Sequence, residues 1–220
     1  MKPVGAVVLA AGLGTRMGQA PDSFNRGQAK QLLQWGDKPM VRHVVDTLAA
    51  GGVEVGVVVV VGHQREAVEA ALAGSAARSV YNPDYADGNL MRSLQVGLRA
   101  VQLSGPAPDR FDRGPVPDAI LAALSDQPQI TASVVRRVIE QWRISESAVL
   151  VPTYRQTDGH PVLFARSVWA VILTAPPTGS PRAIVQAHPE LVQRVELGDE
   201  AILRDIDTPA DYRRELERRV

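Results

Sequence analysis

Cysteine is absent from the sequence and histidine is scarce. With no cysteine, the chain has no disulfide scaffold, no thiol nucleophile, no iron–sulfur cluster and no thiolate zinc site. Four histidines occur, and no two of them are three to five positions apart, so a histidine metal site on one helix is not expected. The four are His43, His63, His160 and His188.

The chain also lacks a surplus of either charge and a long hydrophobic run. Lys and Arg number 24, as do Asp and Glu, which argues against a dedicated nucleic-acid binder. The most apolar stretch, Val53–Val61, is too short to cross a bilayer and is interrupted by Glu54 and Gly56. We therefore expect a cytoplasmic protein with neither nucleic acid nor a membrane as partner. A polyanionic ligand would have to meet locally placed cations or a metal.

What is present is an alternation of apolar strand patterns and helix patterns. The 220 residues, 45% hydrophobic, predict one domain over 1–220. The alternation predicts an α/β fold with a Rossmann-like, mostly parallel sheet and helices on both faces. Two polar stretches interrupt it, a loop over Gly12–Gly36 and a Pro-rich surface insertion over Ser104–Pro117. Strands are predicted at Val4–Ala10, Val55–Val61, Ser79–Tyr81, Ala119–Leu124, Ala148–Pro152, Pro161–Phe164 and near Ala201–Ile206, with short helices before the last strand and a final helix from about Pro209.

A glycine-rich loop, Leu9–Gly18, follows the first strand. Glycines there let backbone N–H groups approach phosphate oxygens, and Arg16 adds a fork of donors. A dinucleotide-binding turn is disfavoured, because no helix starts at once and the second strand ends without an acidic residue. A Walker A loop is absent, since no Gly-Lys-Ser/Thr occurs. A ligand-free turn and a triphosphate loop both remain open, and Arg16 favours the second.

Three aspartates are candidates for holding a cation. Asp126 follows a buried strand, where a carboxylate can hold Mg²⁺ or merely cap a turn. Asp205 and Asp207 would point to the same face of a strand, and such a pair is costly without a cation between its members. The alternative is that Thr208 caps a helix with Asp211 in its first turn.

Two further polar residues each have two interpretations. Lys30, in the polar loop, is either a cation for the ligand or a solvated surface lysine. His160, in Gly159-His160-Pro161, either contacts substrate or completes a turn before a strand.

Taken in order, the motifs cover nearly the whole chain and resemble one family, the molybdenum-cofactor nucleotidyltransferases, in particular their cytidylyltransferase branch. Each motif is only moderately specific, but five occur in register. They are Leu9–Gly18; Asn82-Pro83-Asp84-Tyr85 with Gly88 and Ser93-Leu94; Asp126-Gln127-Pro128; Gly159–Phe164; and Asp205–Pro209.

The resemblance implies a fold of the nucleotide-diphospho-sugar transferase type and a Mg²⁺-dependent transfer of a nucleoside monophosphate. It implies that Arg16 and Lys30 neutralise the triphosphate and that Asp126 and Asp207, with Asp205, hold Mg²⁺. Arg16, Lys30 and Asp126 are thereby the catalytic candidates. His160 is the candidate for contact with the substrate. The same resemblance assigns nucleotide binding to Leu9, Ala10, Ala11, Gly12, Gly14, Arg16, Lys30, Asn82, Gly88 and Ser93.

The Ala10-Ala11-Gly12 sequence resembles family members that use CTP rather than GTP. The implied acceptor is the phosphate of a molybdopterin-type cofactor, and a molybdoenzyme or its chaperone is an expected partner. Two alternatives stay open: transfer to a sugar or polyol phosphate, and a non-catalytic chaperone that binds the molybdenum cofactor.

In one respect the sequence departs from the family pattern. The lysine of the first loop usually lies a few residues past the last glycine, whereas here twelve positions separate Gly18 from Lys30. Either Lys30 still reaches the phosphates across the insertion 19–29, or Arg26 substitutes for it, or phosphate binding is altered.

Overall fold

A computed structural model describes residues 1–19, 27–103 and 115–219 and shows the predicted alternation of strands and helices. The strands are β1 Val4–Ala10, β2 Gln34–Trp35, β3 Lys38–Pro39, β4 Val57–Val61, β5 Ala77–Tyr81, β6 Ala119–Leu124, β7 Val149–Tyr154, β8 Thr157–Asp158, β9 Val162–Ala165 and β10 Val192–Glu196. The helices are α1 Met40–Ala50, α2 Arg65–Ala71, α3 Leu90–Gln102, α4 Ala132–Ser145, α5 Trp169–Thr174, α6 Pro181–Ala187 and α7 Pro209–Glu217. In the described part of the chain, none of these helices has the length and apolar character needed to cross a membrane.

Eight strands form one mixed, mostly parallel sheet in the order β10-β7-β9-β6-β1-β4-β5, with β8 paired to β7. Strands β6, β1, β4 and β5 are parallel, and β9 runs antiparallel between β6 and β7. The ends of the parallel strands are in register, because Leu9 pairs with Leu124 and Ala10 with Val61. The residues that follow β1 and β6 and the residues that precede β9 therefore meet at one edge of the sheet.

Side chains alternate between the two faces of the sheet, and helices cover both faces. In β1, Val4, Ala6 and Val8 belong to a core cluster with residues of α1 and α4, whereas Val7 and Leu9 pack with α3 and α5. This alternation follows from the two-residue period of a strand. Burial on both faces explains why the central strands read as continuous apolar runs. The predicted fold class is confirmed.

A third, smaller hydrophobic cluster lies beside the carboxyl edge of the sheet. It contains Met17 from the glycine-rich loop, Trp35 and Met40 from the segment after Lys30, and Ile206 and Tyr212 from the C-terminal segment. Ile206 is fully buried, and its backbone N–H donates to the Asp126 carbonyl oxygen at 3.0 Å. This cluster thus packs the chain around Asp205 and Asp207 against the loop after β1.

Two of the expectations for the C-terminal third are wrong. The strand predicted near Ala201–Ile206 is a 3₁₀ turn at Glu200–Leu203 followed by irregular chain, so Asp205 and Asp207 do not share a strand. The strand Val192–Glu196, placed parallel to β7, occupies sequence for which only short helices were predicted. Of the predicted polar loop and insertion, residues 20–26 and 104–114 lie outside the described residues.

Candidate active site

At the carboxyl edge of the sheet, Lys30 lies between two carboxylates. Its Nζ is 2.6 Å from Asp126 Oδ2 and 2.8 Å from Asp207 Oδ1, and Arg16 Nη1 lies 2.9 Å from Asp207 Oδ2. The Lys30 side chain is only 13% exposed. Burial alone would lower the pKa of Lys30, but the carboxylates of Asp126 and Asp207 outweigh it and hold the pKa above its ordinary value of 10.5. Lys30 is therefore a charged member of this cluster and not a solvated surface lysine.

Asp205 is held next to this cluster by a different contact. Gln127, which is buried, donates through Nε2 to Asp205 Oδ1 at 2.7 Å. Burial raises the pKa of Asp205, and the negative charges of Asp126 and Asp207 raise it further, although the Gln127 bond opposes the shift. The family resemblance assigned the three aspartates to one metal site, and the structure brings all three to the wall of one cleft.

The 3₁₀ turn Lys30–Leu32 is called the lysine turn. The cleft has a volume of about 340 Å³ and is lined by the glycine-rich loop, the lysine turn and the ends of β1 and β6. The residues named from the sequence that line it are Leu9, Ala11, Gly12, Gly14, Arg16, Lys30, Gly88, Ser93, Asp126, Asp205 and Asp207. Sequence reasoning gave no role to several others, namely Thr15, Gln31, Tyr85, Asn89, Leu90, Leu124 and Ser125. Tyr85, Asn89 and Leu90 lie inside or beside the motif around Asn82, so their sequence neighbourhood was the available signal.

Two glycines of the loop, Gly12 and Gly14, differ in whether the fold requires glycine at their position. Gly14 has a φ of +60°, and a Cβ placed there would lie 3.1 Å from Lys30 Cβ, so the fold itself favours glycine. A Cβ placed on Gly12 would meet nothing within 4 Å, and Gly12 does not have a positive φ. The fold therefore does not require glycine at position 12.

Two predicted nucleotide-binding residues, Asn82 and Ala10, bond to residues of the cleft wall but do not line the cleft themselves. Asn82 is buried; its Nδ2 donates to Ser93 Oγ at 3.1 Å, and its Oδ1 accepts from the Asp84 N–H at 3.1 Å. The Ala10 carbonyl oxygen accepts from Gln31 Nε2 at 3.0 Å, which ties the first loop to the lysine turn. Asn82 and Ala10 are not among the residues that line the cleft, so we assign them to its framework.

The cluster fits a divalent cation in its donor chemistry. Carboxylate oxygens are the ligands that Mg²⁺ and Mn²⁺ favour, and Asp126 Oδ1 is buried without a hydrogen-bond partner in the described structure. No group of three or more acidic or histidine side chains is already arranged as a metal site in the described ranges. Lys30 instead lies between the two carboxylates that would be ligands.

A second cavity, of about 370 Å³, adjoins the cleft and shares Leu9, Leu90 and Leu124 with it. His160 lies in its wall, just before β9. Burial lowers the pKa of His160, and the charge of Asp126 offsets only part of that effect. The ring is therefore neutral at physiological pH and can both donate and accept one hydrogen bond.

Most of this second cavity is apolar. Its apolar lining residues are Leu9, Leu90, Leu94, Ala122, Leu124, Val151, Val162, Phe164, Pro181 and Val185. Of its polar lining residues, Asp158 is paired with Arg194 at 2.8 Å, and Ser180 Oγ accepts from the Ala183 N–H at 3.1 Å. Arg182, which is exposed, also lines the cavity, and no described residue forms an ion pair with it. A second ligand would meet mainly hydrocarbon there, with His160 and Arg182 as its polar contacts.

Known proteins match the chain over most of its length. It is 24% identical over 215 residues to the molybdenum cofactor cytidylyltransferase of Escherichia coli (strain K12), covering 96% of this chain and 95% of that protein. It is 29% identical over 216 residues to the nicotine blue oxidoreductase of Paenarthrobacter nicotinovorans, covering 93% and 92%. A solved structure of Rv0371c from Mycobacterium tuberculosis H37Rv, a complex with manganese, superposes with a TM-score of 0.70 at 25% identity, covering 99% of each chain.

A comparison with protein families assigns most of the chain to one family. The family described as the MobA-like NTP transferase domain matches residues 6–192, which span the glycine-rich loop, Lys30 and Asp126. The chain belongs to this family of nucleotidyltransferases, and the resemblance identified from its motifs is confirmed.

Proposed function

We propose that this enzyme transfers CMP from CTP to the phosphate of a molybdopterin-type cofactor and releases pyrophosphate. The observation that carries the proposal is the position of Lys30, between Asp126 and Asp207 in a glycine-lined cleft. Nucleotidyl transfer needs charge neutralisation and alignment more than covalent chemistry by the protein. The cations Arg16 and Lys30 would supply the charge neutralisation, and the glycine-rich loop beside them would align the triphosphate.

In the proposed reaction, an oxygen of the acceptor phosphate bonds to the α-phosphorus of CTP while the bond from that phosphorus to the bridging oxygen of pyrophosphate breaks. Arg16 and Lys30 neutralise the triphosphate, and backbone N–H groups of Gly12 and Gly14 hold its oxygens. Gly88 and Ser93 line the nucleotide, and Asn82 fixes Ser93.

Asp126 and Asp207, with Asp205, are the residues that would hold Mg²⁺, as the unpartnered Asp126 Oδ1 favours. The metal, when bound, would neutralise charge on the phosphates. Lys30, which pairs with two of these carboxylates, would be a cation for the triphosphate beside that metal. The manganese in the related M. tuberculosis structure supports a divalent cation in this fold.

The choice of CTP rests on the Ala10-Ala11-Gly12 sequence and on the cytidylyltransferase relative. The choice of acceptor rests on the molybdenum cofactor cytidylyltransferase relative. The second cavity, which adjoins the cleft, is the space proposed for the acceptor. His160 and Arg182 would contact the acceptor.

We also propose that residues 1–220 act as one domain in the cytoplasm and pass the product to a molybdoenzyme or its chaperone. The test of substrate choice is a panel of CTP, GTP, ATP and UTP with molybdenum cofactor and Mg²⁺, read as pyrophosphate release. Release with CTP well above the other three supports the proposal. Release only when a sugar or polyol phosphate replaces the cofactor favours that alternative, and nucleotide binding without release favours a chaperone.

A further inference from the structure

The position of Lys30 needs an explanation, because the chain reaches it through the insertion. The chain is described again from Gly27, three residues before Lys30. The backbone of Gly27 and of Ala29 forms hydrogen bonds with a side chain that directly precedes α2. A contact outside the glycine-rich loop therefore holds the residues just before Lys30.

Gln64 provides that contact. It stands at the N-cap of α2 with a left-handed φ of 51°, yet its side chain caps none of its own helix's N–H groups. Instead its Nε2 donates to the Gly27 carbonyl oxygen, and its Oε1 accepts from the Ala29 N–H at 2.8 Å. An N-cap side chain ordinarily accepts a hydrogen bond from an N–H group in the first turn of its own helix. The Gln64 amide instead bonds another segment of the chain.

The two bonds reproduce main-chain pairing. The amide of Gln64 bonds residues two apart in the chain, as one residue of a parallel strand does with its neighbour. Gln64 lies three residues after the end of β4, and the N–H of the neighbouring His63 donates to the Ala11 carbonyl oxygen at 3.3 Å. The Gln64 side chain thus links the segment 27–29 to the chain that follows β4.

The residues after Gly27 carry this attachment to the active site. Ala29 is buried at 3% exposure in the core, and Lys30 follows it directly. Gln31, also buried, bonds the Ala10 carbonyl oxygen at 3.0 Å. Lys30 therefore lies between two anchors: Gln64 on the side of the insertion and Gln31 on the side of the glycine-rich loop.

We propose that Gln64 is a positioning residue for Lys30: its amide fixes residues 27–29 so that the lysine ammonium reaches Asp126 and Asp207 despite the insertion. The contribution of Lys30 to nucleotide binding rests on the proposed function. The positioning itself does not, because it can be measured on the protein without nucleotide.

Lysine labelling gives that measurement, because the chain contains only Lys2, Lys30 and Lys38. The side chains of Lys2 and Lys38 are 46% and 42% exposed, against 13% for Lys30, so they serve as internal references. Acetylation by an N-hydroxysuccinimide ester, followed by mass spectrometry, reads all three rates. In the unchanged protein Lys30 reacts slowest, since it is buried and ion-paired.

Gln64→Met removes both bonds at similar side-chain length. We expect the labelling rate of Lys30 relative to Lys38 to rise about fivefold, as local opening becomes easier. Gln64→Glu keeps the acceptor for Ala29 but loses the donor to Gly27, so its labelling ratio should fall between those of the unchanged protein and Gln64→Met. If Gln64→Met does not fold, the labelling ratio of Gln64→Glu tests the proposal. Glu66→Gln, exposed on the same helix, is the matched control and leaves the ratio unchanged. An unchanged ratio in folded Gln64 variants overturns the proposal.

A double-mutant cycle with Lys30→Met separates positioning from a general structural effect. If Gln64 acts through Lys30, Gln64→Met lowers pyrophosphate release in the native background and has little further effect when Lys30 is absent. Equal losses in both backgrounds contradict the positioning role. If the unchanged protein releases no pyrophosphate with any nucleotide, the proposed function fails, while the labelling ratio still decides the role of Gln64.

Discussion

Lys30 Nζ lies 2.6 Å from Asp126 Oδ2, and the two residues are 96 positions apart in the sequence. The same ammonium also bonds Asp207, so it lies between both carboxylates proposed to hold the metal. An ammonium and a divalent cation cannot share that position, because their charges repel at close range. The lysine and the metal must therefore compete in the protein without nucleotide.

This competition predicts that Lys30→Met increases the affinity of the nucleotide-free protein for Mn²⁺, by about tenfold. The free ion is measured by electron paramagnetic resonance during titration. Lys38→Met removes a lysine paired with Asp46 on the surface and serves as the control, with no change in Mn²⁺ affinity. Unchanged or weaker Mn²⁺ binding in the Lys30 variant would show that the metal lies elsewhere.

The same substitution has the opposite effect on the nucleotide. Lys30 is a buried cation beside the glycine loop, so its loss removes a charge-assisted contact to phosphate. We expect the Kd for CTP, measured by calorimetry without metal, to rise by about ten- to a hundredfold. A variant that binds CTP as well as the native protein would leave Lys30 with no role in phosphate binding.

Gly12→Ala separates a ligand requirement from a folding requirement. A Cβ at Gly12 meets nothing within 4 Å in the protein, so the melting temperature should change by no more than about 2 °C. The methyl group would, however, stand where phosphate oxygens approach the backbone, and CTP affinity should fall about tenfold or more. Gly14→Ala, at a φ of +60°, should lose stability as well as affinity. Native CTP binding by Gly12→Ala would favour a ligand-free turn.

The folded state resists protonation of His160, and this predicts a pH dependence of stability. Burial holds the pKa of His160 below its ordinary value of 6.5, so near that pH the unfolded chain binds more protons than the folded protein. Stability therefore falls as pH decreases through about 6.5 and is unaffected by this group well above it. His160→Gln cannot be protonated and should lose less melting temperature between about pH 8 and about pH 5.5. His188→Gln, with a ring that is 41% exposed, is the control and should behave like the native protein.

How far the site could be predicted depended on which forces place each residue. The end of β6 is marked by a buried apolar run, so the sequence placed Asp126 at the carboxyl edge beside the glycine-rich loop, where the structure has it. Local patterns of this kind survive folding because the sheet buries both faces.

Asp205 and Asp207 reach the cleft for reasons that local sequence patterns contain only in part. A strand was predicted for them, and the structure has irregular chain there. They are held by Ile206 in the third hydrophobic cluster and by the capping box of α7, in which Asp211 Oδ2 accepts from the Asp207 and Thr208 N–H groups. The helix-cap interpretation of Thr208 and Asp211 and the cation-site interpretation of Asp207 are therefore compatible.

Gln64 illustrates the remaining difficulty. Its side chain bonds the backbone of Ala29 and Gly27, which lie 35 and 37 positions earlier in the chain. No periodic sequence pattern indicates this contact. Side chain–backbone bonds of this kind become visible only once the topology is known. Arg26, the alternative cation for the phosphates, lies outside the described residues.

The central claim, that the carboxylates around Lys30 serve metal-dependent nucleotidyl transfer, is tested most directly by Asp126→Ala. Lys30 keeps its pair with Asp207 in this variant, so the fold and the melting temperature should be retained. We predict that pyrophosphate release from CTP, with molybdenum cofactor and Mg²⁺, falls by about 10²-fold or more, while the surface variant Asp46→Asn retains full release. Near-normal release by folded Asp126→Ala would contradict the account.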